Sequence, residues 1–172
     1  MLSHVRKPVA TGLAVTIALG LALAWLLPTT PASAGDSMIQ VFEPQGPWSK
    51  LVDLGKKVPT AGDFWVELHP ALDPQDGTKL GAVYNRLMVV KPVRIDGELS
   101  DMQIIYDSVV RLADGDVTFT GAFPLSEIVD GVTLPVTGGT GAYELARGTV
   151  EVAPADLNGK PGGTITFDLT TT

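Results

Sequence analysis

The chain contains no cysteine. Disulfides, thiolate metal sites, a cysteine nucleophile and a lipid-anchoring cysteine are therefore all excluded. It has two histidines, one of them His4 near the N-terminus, which leaves no set for a multi-histidine metal site. Basic residues are outnumbered, 12 Lys and Arg against 19 Asp and Glu. That balance argues against nucleic acid and anionic membrane surfaces as partners. No segment carries a sustained helical apolar period with caps, so helix packing is not the building principle. What is present is 45% hydrophobic and only 18% charged residues, which excludes a disordered chain. The length of 172 residues fits one domain.

The first thirty-odd residues read as an address. Arg6 and Lys7 precede an uncharged, largely apolar run from Val9 to Leu27. Pro28 and Pro31 end it, and Ala32-Ser33-Ala34 follows. Small residues at the first and third positions of that tripeptide suit signal peptidase, so cleavage after Ala34 is expected. Retention as an uncleaved anchor is the alternative, because the run is long enough to span a bilayer. No Arg-Arg pair is present, which favours the general secretory route. The expected mature chain, 35–172, is secreted or extracytoplasmic and free of membrane. Its formal charge moves from −7 to −9 with the loss of Arg6 and Lys7. Lacking covalent staples, it must rest on its hydrophobic core.

The mature chain alternates with period two. Met102, Ile104, Tyr106, Val110 and Leu112 share one face, with Asp101, Gln103, Asp107 and Arg111 on the other. Val117 and Phe119 alternate with Asp116, Thr118 and Thr120, and Ile165, Phe167 and Leu169 with Thr164, Thr166, Asp168 and Thr170. Phe64, Val66 and Leu68 alternate with Asp63 and Glu67. Turn chemistry punctuates these runs at Asp73-Pro74-Gln75-Asp76-Gly77, Asp96-Gly97, Asp114-Gly115, Asp130-Gly131 and Asn158-Gly159. Eight strands are expected, at about 38–43, 63–69, 79–91, 98–112, 116–122, 132–136, 145–153 and 163–170. Residues 43–62, with Trp48, read as a long connection. The fold class is all-β, either a sandwich or an eight-stranded antiparallel barrel with room for one small ligand.

The sharpest local feature is Leu134-Pro-Val-Thr-Gly-Gly-Thr-Gly-Ala-Tyr-Glu-Leu-Ala-Arg-Gly148. A dinucleotide-binding turn would need a crossover helix and a parallel strand behind it. Gly148 and Pro154 interrupt the chain too soon for that, and Glu144 occupies the third glycine position. The loop also lacks the Gly-Lys-Ser/Thr of a phosphate-binding loop. The glycines instead suit a tight corner between two strands.

This segment resembles the corresponding part of plant allene oxide cyclases, and its GGTGAY…ARG portion equally resembles dirigent proteins of the same superfamily. Gly62-Asp63-Phe64, the stretch DVTFTGAF and the closing TITFDL are similar to family landmarks. The likeness extends from about Ile39 to Leu169. The resemblance implies a calycin-type, eight-stranded antiparallel barrel with an apolar lumen, often a homo-oligomer such as a trimer or dimer. Allene oxide cyclases turn an unstable fatty-acid epoxide into a cyclopentenone, dirigent proteins steer reactive phenolic intermediates, and related bacterial barrels close rings in polyketide-type products. None uses a cofactor or a metal. Rate and stereochemistry come largely from holding a flexible apolar substrate in one reactive shape.

By the same resemblance, Phe42-Glu43 matches a Tyr-Glu pair whose Glu promotes ionisation of the epoxide. His69 falls where the cyclases have a water-holding Asn, and Gln45 where they have another Asn. The catalytic candidates are thus Glu43 and His69. A carboxyl group in an apolar lumen has its pKa raised and is suited to act as an acid, and a histidine can move protons near neutral pH. Phe42, Gln45, Tyr84, Arg86 and Tyr106 are candidate substrate contacts, and the ring of Tyr143 is expected to plug one barrel end. Two other readings remain open at this level. One is a lipocalin-like carrier with a wholly apolar lumen, and the other is a structural trimer with a packed lumen.

Overall fold

The structure, a computed structural model, describes residues 35–46, 49–54, 59–92 and 102–171. The expected leader and its cleavage site, the turn expected at Asp96-Gly97, and Trp48 lie outside these residues. Among the described residues there are nine strands, β1 (Gly35–Pro44), β2 (Ser49–Val52), β3 (Phe64–Leu72), β4 (Lys79–Lys91), β5 (Gln103–Leu112), β6 (Gly115–Pro124), β7 (Val132–Gly139), β8 (Arg147–Leu157) and β9 (Lys160–Thr171). All pairings are antiparallel, in the order β1-β9-β8-β7-β6-β5-β4-β3, and β1 returns to β3 at Phe42↔Leu72 to close an eight-stranded barrel. The eight expected strands are those of the barrel. The ninth, β2, lies within the stretch expected to be a connection.

β2 resumes the line of β1 after an interruption. It pairs with the first half of β3, Ser49↔Glu67 through Val52↔Phe64. On that side, residues 68–71 of β3 have no strand partner among the described residues. Pro70 falls in this stretch, where its missing N–H breaks no ladder bond. Pro44, Gln45 and Gly46 occupy the gap, with Gln45 tied to β9 by a 2.9 Å bond from its N–H to the Pro161 carbonyl. The barrel wall is thus opened at one point by a proline- and glycine-rich stretch. Behind β2, the fully buried Asp63 accepts hydrogen bonds from the N–H groups of Leu54 (2.8 Å) and Thr60 (2.7 Å) and from Thr60 Oγ1 (3.0 Å). Those backbone donors hold its carboxyl below the usual range.

One half of the lumen is solid. Phe119, Phe167, Val41, Val83, Val110 and Ile165 are fully buried there. The rings of Phe119 and Phe167 meet edge to face at 5.8 Å, and those of Tyr106 and Phe119 at 5.6 Å. Burying each such side chain contributes about 1.5–3 kcal/mol. The corner between β7 and β8 closes this end. Gly141 adopts φ 61°, where a Cβ would run into the Asp114 carbonyl, and Tyr143 lies half-buried against the core. The strands on either side of the glycines are antiparallel neighbours joined by a short 3-10 turn, which is the corner expected of them.

Candidate active site

The other half of the lumen is open, with a cavity of about 630 Å³. Strand alternation decides what faces it. In β1 the odd residues Val41 and Glu43 point inward, so Phe42 is buried away from the cavity. In β4, Asn85 and Leu87 line the cavity, while Tyr84 and Arg86 stand on the outer face. Arg86 there pairs with Asp107 of β5. Tyr84 is 40% exposed and lies under the Arg111 guanidinium, 5.6 Å from its ring centre. Of the sequence candidates, Glu43, His69, Gln45 and Tyr106 are brought together around the cavity. Phe42, Tyr84 and Arg86 are not among its lining residues.

β3 inverts the usual rule. Its apolar residues Val66 (44% exposed) and Leu68 (50% exposed) face outward, and Glu67 and His69 line the cavity. The period is the one read from the sequence, but the polar face is the inner one. Glu67 and Asn85 are therefore site residues that patterning passed over. Their signal was register, since Glu67 shares the parity of His69 on β3 and pairs directly with Asn85 on β4.

The inward polar groups form one cluster. His69 Nε2 lies 3.2 Å from Glu43 Oε1 and 3.6 Å from Glu67 Oε2. Asn85 Nδ2 donates to Glu43 Oε1 at 2.7 Å. Desolvation raises the Glu43 pKa to about 7, against the opposing effects of His69 and Asn85, with the Glu67 charge adding to the rise. For Glu67, burial pushes upward, but hydrogen bonds from His69 and Ser49 and the charge of His69 prevail and its pKa falls. For His69, burial pulls downward, but its hydrogen bond to Glu67 and the charges of both carboxylates prevail and its pKa rises. The arrangement separates the two carboxyls near neutral pH. Glu67 is pushed towards its ionised form and the imidazole beside it towards its protonated form, while the Glu43 carboxyl is the one raised to about 7. Burial and the nearby carboxylates drive the Tyr106 phenol well above its ordinary value, so it remains a neutral donor. The donor atoms of Glu43, Glu67 and His69 lie within 4.8 Å of one another, a spacing that a divalent cation also accepts.

The fold is a closed eight-stranded antiparallel barrel, an architecture shared by solved structures of several activities. Among solved structures, the chain is similar to pyocyanin demethylase at 19% identity and a TM-score of 0.62, covering 78% of this chain and 100% of that one. It is similar to a Diels-Alderase from Streptomyces koyangensis at 16% identity and 0.60, covering 90% of this chain and 75% of that one. It is also similar to a pterocarpan synthase dirigent protein at 14% identity and 0.57, covering 81% and 85%. No family model matches the sequence, and no curated protein matches it.

Proposed function

We propose that this chain is an extracytoplasmic, allene-oxide-cyclase-like or dirigent-like barrel that binds a small hydrophobic molecule and guides its cofactor-free, stereocontrolled cyclisation or isomerisation. The observation that carries this reading is the Glu43 carboxyl set 3.2 Å from His69 in a cavity with largely apolar walls, where burial pushes its pKa up to about 7. A carboxyl tuned there is matched to acid–base work at neutral pH. The ring-forming and dirigent neighbours support the same reading, and the leader read from the sequence supports export.

In the proposed reaction the apolar walls fold the substrate into a near-attack shape. Protonated Glu43 gives its proton to a substrate oxygen, and the resulting carboxylate stabilises the cation that develops as bonds rearrange. The proton then returns to Glu43 from carbon, so that an isomerisation is balanced. His69, held by Glu67, keeps Glu43 oriented and tempers its pKa. A carrier would need only an apolar lumen, and a trio of ionisable groups drawn partly out of water is costly where nothing uses it.

The test is to purify the protein from its native host, extract it with organic solvent and identify bound molecules by mass spectrometry. These molecules and their acyclic relatives are then assayed for ring closure by chiral chromatography. Ring closure by the wild-type protein and its loss in Glu43→Gln are expected. Turnover that persists unchanged in Glu43→Gln would remove Glu43 as the acid.

A further inference from the structure

Among the described residues, acidic groups outnumber basic ones in the lining of the cavity, Glu43 and Glu67 against His69. Among the described residues no Lys or Arg lines it. Lys50 and Lys160, on strands that contribute to its wall, lie outside the lining. The remaining wall is uncharged, with Leu87, Ile128, Val152 and Pro154 giving it an apolar body. A second feature points the same way. Asn85 is 4% exposed and lines the cavity. Its amide nitrogen donates to Glu43, but its Oδ1 accepts no hydrogen bond. A buried acceptor without a donor is costly, and it is relieved by a ligand that brings an N–H. Two carboxylates and a free amide oxygen therefore present acceptors to whatever enters, with one imidazole on the other side of the balance.

From this geometry we infer that the lumen selects a hydrophobic amine in its protonated form, an apolar ring body with an ammonium head, and rejects carboxylate-bearing molecules. The inference rests on the reading of the cavity as the substrate site and narrows it to a substrate class. The ammonium donates to Asn85 Oδ1 and to the Glu67 and Glu43 carboxylates, where Coulomb attraction in a partly dry cavity exceeds that in water. A carboxylate in the same place meets the Glu67 charge, and that of Glu43 wherever it is ionised, and leaves Asn85 Oδ1 unpaired. A free fatty acid, whose head group is anionic, is on this account a poor fit.

The experiment uses one bicyclic body with three heads, naphthylmethylammonium, naphthylmethanol and naphthoate, titrated calorimetrically into the full mature chain at neutral pH. The ammonium is expected to bind at least tenfold more tightly than the alcohol, and naphthoate more weakly than either. Glu67→Gln should bring the affinity for the ammonium down towards that for the alcohol. Glu67→Gln combined with Glu43→Gln leaves His69 as the only charge and should reverse the order of the two ions. Asp107→Asn, which removes a negative charge from the outer face, should change none of these values. Naphthoate binding as tightly as the alcohol, or an ammonium preference that survives both glutamine substitutions, overturns the inference while leaving the proposed ring-forming role standing. If the wild-type protein binds none of the three, the ligand-site reading and the inference fall together.

Discussion

Glu43 Oε1 stands 3.2 Å from His69 Nε2, across the point where the barrel wall is interrupted between β1 and β2. The contact joins a carboxyl that resists losing its proton to an imidazole that resists losing its own. Most consequences that can be tested arise from that pairing.

Stability should fall as pH rises through the neutral range. The Glu43 pKa is about 7 in the folded state against 4.5 as its ordinary value. The folded state thus holds that proton more tightly, and its advantage is lost between about pH 4.5 and about 7. His69, raised above 6.5, acts in the same direction, since its stabilisation is complete at low pH and lost as pH climbs through its folded value. Glu67, lowered below 4.5, opposes them only in acid. Thermal melts should show Tm highest near pH 5 and declining towards pH 8. The Glu43 contribution is on the order of 3 kcal/mol. Glu43→Gln should flatten the decline, and an unchanged slope would mean that Glu43 titrates normally.

Catalysis by Glu43 should follow its protonated form. Once a substrate is in hand, kcat/KM is expected to drop above about pH 7, the value set for this carboxyl. Glu43→Gln should lower kcat by a factor of about 10²–10⁴. His69→Gln removes the charge that restrains the Glu43 pKa, so the falling limb should move to higher pH. The same displacement should appear in a carbon NMR titration of the Glu43 carboxyl, which separates an effect on that group from a general loss of fold.

Chelation should leave turnover intact. One imidazole and two carboxylates sit close enough to share a cation, but the proposed steps use only protons and orientation. Dialysis against a strong chelator, followed by metal analysis and assay, should give full activity. Activity restored only by added divalent ion would replace the acid–base account with a metal-assisted one.

Phe119→Ala should destabilise the chain by about 3–5 kcal/mol. Its ring touches both Tyr106 and Phe167 in the solid half of the lumen. Urea denaturation reads the loss directly.

Gly148→Ala should be similarly poorly tolerated. Gly148 has φ 138°, and a Cβ there would collide with the Asp168 carbonyl of the neighbouring strand. A backbone oxygen cannot move aside without breaking the β8–β9 ladder, so a cost of about 2 kcal/mol or more is expected in denaturant melts. A melt matching wild type would show that this corner is not held as tightly as its geometry indicates.

Much of the barrel was legible because burial on one side of a strand writes a period of two. Ile165, Phe167 and Leu169 face inward as their alternation with threonine and aspartate implies. β2 escaped because a four-residue strand with exposed or half-exposed side chains leaves no such trace. β3 shows the limit of the pattern. Alternation reports that two faces differ, and the face that is inside depends on what the other strands leave in the lumen.

The sequence by itself determined the β class, the turns at Asp73–Gly77, Asp114-Gly115, Asp130-Gly131 and Asn158-Gly159, and the two-residue period of the strands, because turn residues and side-chain alternation are local properties. It also placed Glu43 and His69 among the candidates through the resemblance carried by the glycine motif. Only the tertiary structure decided that Glu67 and Asn85 join them, that Phe42, Tyr84 and Arg86 stand elsewhere, and that half of the lumen is packed and half open. Those outcomes depend on strand register and on where the barrel closes, and both are fixed by contacts between residues far apart in the chain.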